Sequence, residues 1–233
     1  MKSKHKALLL SMCAVLLVAV SIFGTLAYLT DEDAVTNTFT VGSVGLELDE
    51  AEVNPDGSYK DGHDNRVQEN EYHLLPGHTY YKDPTVTVDA GSEAAYVRMI
   101  VTVENIDQLK AALPDTKYYA DDGTFLLQML CVDENGDCTW DADTWKMHGY
   151  TESDDGKTGK YEFRYKEVVA KSDDDIVLSD LFEAITVPGE IDNTHLAKLA
   201  NVKIVVTAHA IQADGFESAD AAWTAFDGQH STN

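Results

Sequence analysis

Histidines, cysteines and carboxylates are the side chains that could do chemistry in this chain. Beyond the N-terminal apolar run the histidines are His63, His73, His78, His148, His195, His209 and His230. Zinc hydrolysis needs ligands at fixed spacing with a general base beside the bound water, as in H-E-x-x-H on one helix face. The chain has no such motif, and His73 and His78 are separated by a Pro76-Gly77 turn, which suits no helix face. Surface or capping roles fit these histidines better than metal ligation. Neither a G-x-S-x-G elbow nor a G-x-x-x-x-G-K-[ST] phosphate loop is present. No catalytic residue, cofactor-binding residue or metal ligand is assigned, and the chain is not expected to be an enzyme.

Cys131 and Cys138 flank VDENGD, whose Asn135-Gly136 is a strong hairpin-turn signal. A disulfide is one reading, permitted if the chain is exported; two free thiols is the other. The stretches DENGD (133–137), SDD (153–155), SDDD (172–175) and NPDGSYKDGHDN offer hard oxygen donors that suit Ca²⁺. Solvated turns explain the same residues, and the glycine of DENGD is misplaced for an EF-hand. Arg98, alone in a β-branched run, reads as structural: it either pairs with a carboxylate across a sheet or faces outward against aggregation.

Two features bound the function. The first is charge: 17 Lys and Arg against 41 Asp and Glu give −24 among 233 residues. Such a surface repels phosphate backbones and anionic lipid, so no nucleic-acid partner is expected. The second is the N-terminus. Lys2, Lys4 and Lys6 precede an uncharged run from Ala7 to Leu29, long enough to span a bilayer. Gly24 can break it, and Thr25 and Ala27 supply the small residues of a signal cleavage site between Ala27 and Tyr28. Cleavage would remove those three lysines and take the charge to −27. Retention would leave a membrane anchor.

The elements that must position everything else are strands. Period-2 alternation marks VGLEL (44–48), PTVTVDA (84–90), YVRMIVTVEN (96–105), KYEFRYKEVV (160–169) and NVKIVVTAHAIQA (201–213). In the third, Val97, Met99, Val101 and Val103 share one face; in the last, Val202, Ile204, Val206, Ala208 and Ala210 do. FLLQMLCV (125–132) is read as a further strand. Short helices are expected at 105–113, at 180–185, at 193–200 and at 218–226. The last has Ser218 as N-cap, with Trp223 and Phe226 as a lid over the core. Turn residues lie between these runs. The fold class is mainly β: a single jelly-roll-like β-sandwich with short helical insertions, preceded by a signal helix. The expected divisions are a signal peptide at 1–27, an extended segment at 28–42 and the sandwich at 43–233.

Specific residues resemble the TasA/camelysin family of exported Gram-positive proteins. Gly24, Thr25, Ala27 and Tyr28 match the end of its signal, which an ER-type signal peptidase cuts, and Asn37, Phe39 and Gly42 match its N-x-F-x-x-G start. LLPGHTYYKDPTVTVDAGSEAAYVRMIV and IVVTAHAIQADGF followed by AAW match later family patterns, whereas about 104–180 matches nothing in it. The resemblance implies a secreted cell-surface protein of the biofilm matrix that forms fibres with itself or with a related matrix protein. Its N-terminal strand would complete the sheet of the next subunit. The assembly residues would be Asp31, Val35, Asn37, Phe39 and Val41. The alternatives are a monomeric or membrane-anchored adhesive module and, less favoured, a secreted camelysin-like metalloprotease. The membrane would be touched only through the signal segment.

Overall fold

The computed structural model describes residues 43–60 and 63–230, which fall within one compact unit. The expected signal peptide, the cleavage pair Ala27 and Tyr28, and Asp31, Val35, Asn37, Phe39 and Val41 lie outside the described residues. Among those described, no helix is long and apolar enough to cross a membrane.

The chain is mainly β and its sheets are antiparallel, an arrangement consistent with a β-sandwich. In order the elements are β1 (Leu46–Ala51), β2 (Arg66–Val67), β3 (Thr79–Tyr81), β4 (Thr85–Val88), β5 (Ala95–Glu104), α1 (Ile106–Ala112) and β6 (Cys131–Val132). There follow β7 (Trp145–Glu152), β8 (Thr158–Tyr165), β9 (Ile176–Val177), β10 (Ala184–Thr186), α2 (Asn193–Leu196), β11 (Lys203–Gln212) and α3 (Ala219–His230). One sheet runs β2-β1-β4-β9, a second β11-β5-β8-β7, and a smaller one β3-β10-β6.

Alternation in β5 organises the molecule. Val97, Met99, Val101 and Val103 are buried and join Val86 and Val88 of β4, Tyr161 and Phe163 of β8, and Trp145 of β7 in one core. The two four-stranded sheets therefore share that core, as their apolar faces require. The Tyr161 hydroxyl donates to the Phe125 carbonyl at 2.7 Å, and Trp145 Nε1 donates to Ser179 O at 3.0 Å, so the polar atoms of these two core side chains are satisfied.

Three expectations are corrected. Residues 125–132 form a 3₁₀ turn at Leu127–Met129 and only a two-residue strand, because an apolar run without alternation does not specify a strand. Residues 180–185 contain no helix; Ala184–Thr186 instead pairs with both β3 and β6. Trp223 is buried, but over the outer face of the β11-β5-β8-β7 sheet, where it covers Arg98 rather than the shared core.

Gly57 adopts φ +83°, and a Cβ there would stand 2.6 Å from the Tyr80 Cα. Both the backbone and the space demand glycine. Gly57→Ala is expected to lower stability by about 1–3 kcal/mol, measured by chemical denaturation; an unchanged midpoint would contradict the close approach of the 54–58 turn to β3.

Candidate functional site

β11 pairs with β5 along its whole length, from Lys203 opposite Glu104 to Gln212 opposite Ala95. Its other edge has no strand partner among the described residues. Two sets of hydrogen bonds reveal which groups that edge presents. The Ala213 amide donates to Ala94 O at 2.7 Å, whereas Ala95 exchanges both of its bonds with Val169, on the side away from β11. Antiparallel pairs alternate between bonded and non-bonded. The amides and carbonyls of Ile204, Val206, Ala208, Ala210 and Gln212 therefore point away from β5.

The first four of those residues also carry the core-facing side chains. Ile204, Val206, Ala208 and Ala210 are partly buried and pack against the core without completing it. Ile204, Val206 and Ala208 line a groove of about 1040 Å³, with Leu48, Tyr72, Leu74, Leu113 and Leu196 among its other walls. Backbone groups without a strand partner among the described residues and half-covered apolar side chains thus lie on the same stretch of chain. Such an edge is a template for another strand.

The flank of the groove along β1 and β2 is closed by a polar seam. Lys82 is ion-paired with the buried Glu50. Arg66 reaches Asp49 at 3.0 Å and Asp83 at 2.6 Å, and Asp83 accepts the Ala51 amide at 2.7 Å. Asn70 donates to Glu50 and to the Ala51 carbonyl at 2.9 Å. The seam ties β2 and the 68–72 segment onto the C-terminal end of β1.

The other residues singled out in the sequence take structural places. Arg98 is 5 % exposed and resolves the two readings of it in favour of pairing. Its guanidinium reaches the Asp227 carboxylate at 2.6 and 3.2 Å and Glu162 at 3.5 Å, and its Nε donates to His209 Nδ1 at 3.3 Å. It sits 4.4 Å from the Trp223 ring centre and 5.0 Å from that of Phe226. This cation–π stack fastens α3, whose Ser218 hydroxyl accepts the Ala221 amide at 3.2 Å as the expected cap.

The disulfide reading is corrected. Cys131 and Cys138 are both free, the first buried and the second exposed. Val132 is the residue opposite Cys138, so the two cysteines fall on opposite faces of the hairpin. Burial, with Cys138 nearby, pushes the Cys131 thiol far up.

The acidic stretches bend their own turns. Asp133 accepts the Asn135 and Asp137 amides at 2.9 and 3.0 Å, Asp155 accepts that of Lys157 at 3.1 Å, and Asp56 that of Ser58 at 3.0 Å. The Asp137 amide foremost holds the Asp133 carboxyl below its ordinary range, and the Ser153 and Ser58 hydroxyls, ahead of the amides, do the same for Asp155 and Asp56. No group of three His, Cys, Asp or Glu is placed to hold a metal ion among the described residues. The alternation of 202–210 is the sequence signal at the β11 edge; it shows a core face but not which edge lacks a neighbour.

Compared with models of known families, with curated proteins and with solved structures, the chain matches none.

A thiol reagent is expected to modify Cys138 in the native protein and Cys131 only after unfolding; equal native rates would contradict the burial. Arg98→Ala is expected to cost about 2–4 kcal/mol by loss of the ion pair and the ring stack. The Arg98 guanidinium holds Asp227 below the usual carboxylate range. The contribution of Asp227 is then full above the unfolded value near 4 and is lost as pH falls through the lower native value. Acid titration of near-ultraviolet Trp signal in wild type and Asp227→Asn tests this; identical acid limbs would contradict it.

Proposed function

We propose that the chain is an exported structural subunit of a bacterial cell surface or biofilm matrix that assembles into extracellular fibres. In this reading residues 31–41 of one copy enter the β11 groove of the next, as the resemblance to the TasA/camelysin family implies, and the sheets correspond to a jelly roll. Signal peptidase would release the segment by cutting between Ala27 and Tyr28. The observation that carries the reading is the edge of β11, where free backbone and an incompletely covered apolar face coincide.

Chemistry favours a strand as the occupant. A rigid globular surface would satisfy few of the outward amides and carbonyls, whereas an extended peptide satisfies them in a ladder. Residues 35–41, VTNTFTV, alternate with Val35, Asn37, Phe39 and Val41 on one side and threonines on the other. This pattern suits one face toward an apolar groove and one toward water. The opposing term is charge. Subunits near −27 repel, and the repulsion reaches about 10 Å at 0.1 M salt, so assembly is expected to strengthen as salt rises or as carboxylates protonate.

The test compares protein starting at Tyr28 with protein starting at Gly42, viewed by electron microscopy across salt and pH. Filaments are expected from the first alone. Phe39→Asp in the longer protein is expected to abolish them while leaving the circular dichroism unchanged. Filaments from the shorter protein would contradict the reading. Two folded, monomeric proteins without filaments would favour a surface binding module.

A further inference from the structure

We propose that Asn135 is a site of spontaneous covalent modification, at which the side-chain amide is lost and part of the product carries its main chain through the β-carbon. This chemistry does not depend on assembly into fibres.

Residue type sets the reaction. The Cγ of an asparagine lies within reach of the backbone nitrogen of the next residue. Attack forms a Cγ–N bond and closes a succinimide ring. The bond from Cγ to the side-chain nitrogen breaks, and that nitrogen leaves as ammonia with the proton given up by the attacking amide. Water then adds to either ring carbonyl, and the ring opens to aspartate or to isoaspartate. Water is the sole co-reactant, and nothing is oxidised or reduced. A Cβ on the following residue crowds the ring, so glycine there favours closure most. Asn135 is the only asparagine of the chain that a glycine follows. Both residues are exposed, and a Cβ built on Gly136 would meet nothing within 4 Å, so no neighbour crowds the ring either. Other asparagines are tied down. Asn54 Nδ2 donates to Ser58 Oγ at 3.1 Å, Asn70 Nδ2 to Glu50 at 2.9 Å and Asn105 Nδ2 to Asn201 O at 2.8 Å.

The turn around Asn135 sets the rate. The Gly136 amide donates to Asp133 O at 2.9 Å, and the Asp133 amide donates to Asp137 O at 3.0 Å. The Asp133 carboxylate accepts the Asn135 and Asp137 amides at 2.9 and 3.0 Å. The attacking nitrogen is therefore engaged, and the turn must open before it reaches Cγ. Opening disturbs few buried contacts, since residues 134–138 are all exposed. The native chain thus reacts more slowly than the unfolded chain, yet at this asparagine first. The product has a structural consequence. A carboxylate replaces the amide beside Asp133, with Glu134 and Asp137 flanking it, and like charges repel. Isoaspartate also adds a carbon to the main chain inside the hairpin that Val132 and Cys138 close. Both changes loosen that hairpin.

The experiment incubates the full chain in mildly alkaline buffer, folded and in urea, and follows every asparagine by peptide mass spectrometry with fragmentation that separates isoaspartate from aspartate. Asn135 is expected to convert ahead of every other asparagine, to give both products, and to convert faster in urea. Asp133→Ala, shown to be folded by circular dichroism, is expected to convert faster than the native wild type, because the turn has lost the carboxylate that holds it. Conversion at Asn135 no faster than at the other asparagines would overturn the site. Aspartate without isoaspartate would overturn ring closure by the Gly136 nitrogen. Equal rates in the folded and urea-treated wild type would overturn the restraint assigned to the turn, whether or not Asp133→Ala folds; an unchanged rate in a folded Asp133→Ala would overturn the part given to its carboxylate.

Discussion

A row of backbone amides and carbonyls on Ile204, Val206, Ala208 and Ala210, unpaired among the described residues and set beside their own core-facing side chains, is the constraint from which the rest follows. Backbone polar groups near an apolar surface must find partners. Most folds satisfy an edge by closing it, covering it or charging it. Here the four inward side chains of the edge strand are apolar, and the groove beside them is walled by Leu48, Leu74, Leu113 and Tyr72 and by the polar Glu50, Asn70 and Lys82.

The remaining architecture leaves that edge available. α3 packs on the outer face of the same sheet, held by Arg98 between Asp227, Trp223 and Phe226, and so contributes nothing to the groove. The ion pairs of Glu50, Lys82, Arg66 and Asp83 fasten β2 and the 68–72 segment to β1 and hold one wall in place. Part of the acidity of the chain resides in turns whose carboxylates accept their own backbone amides, as at Asp56, Asp133 and Asp155. In the proposed assembly that charge is the opposing term, since copies of like charge repel.

Much of the sheet framework was legible because β5, β8 and β11 alternate strictly, and the faces read from Val97 to Val103 and from Val202 to Ala210 are the faces observed. The small sheet was not. Ala184–Thr186 becomes a strand through partners at 79–81 and 131–132, far away in sequence. β7 was missed because a register shift between Met147 and Gly149 breaks its alternation. Arg98 was read correctly as structural, yet its partner Asp227 lies 129 residues away, beyond any local pattern. The groove was invisible for a related reason: alternation tells which way a side chain points, whereas an open edge is a property of the whole topology.

Amide hydrogen exchange along β11 tests the central claim most directly. In protein starting at Gly42, the account predicts fast exchange at Ile204, Val206, Ala208 and Ala210 and slow exchange at the β5-bonded Val205, Thr207, His209 and Ile211. In filaments of protein starting at Tyr28 both sets should be slow. Protection of all eight in the shorter protein, or continued fast exchange of the first four in filaments, would contradict an open edge that a second copy completes.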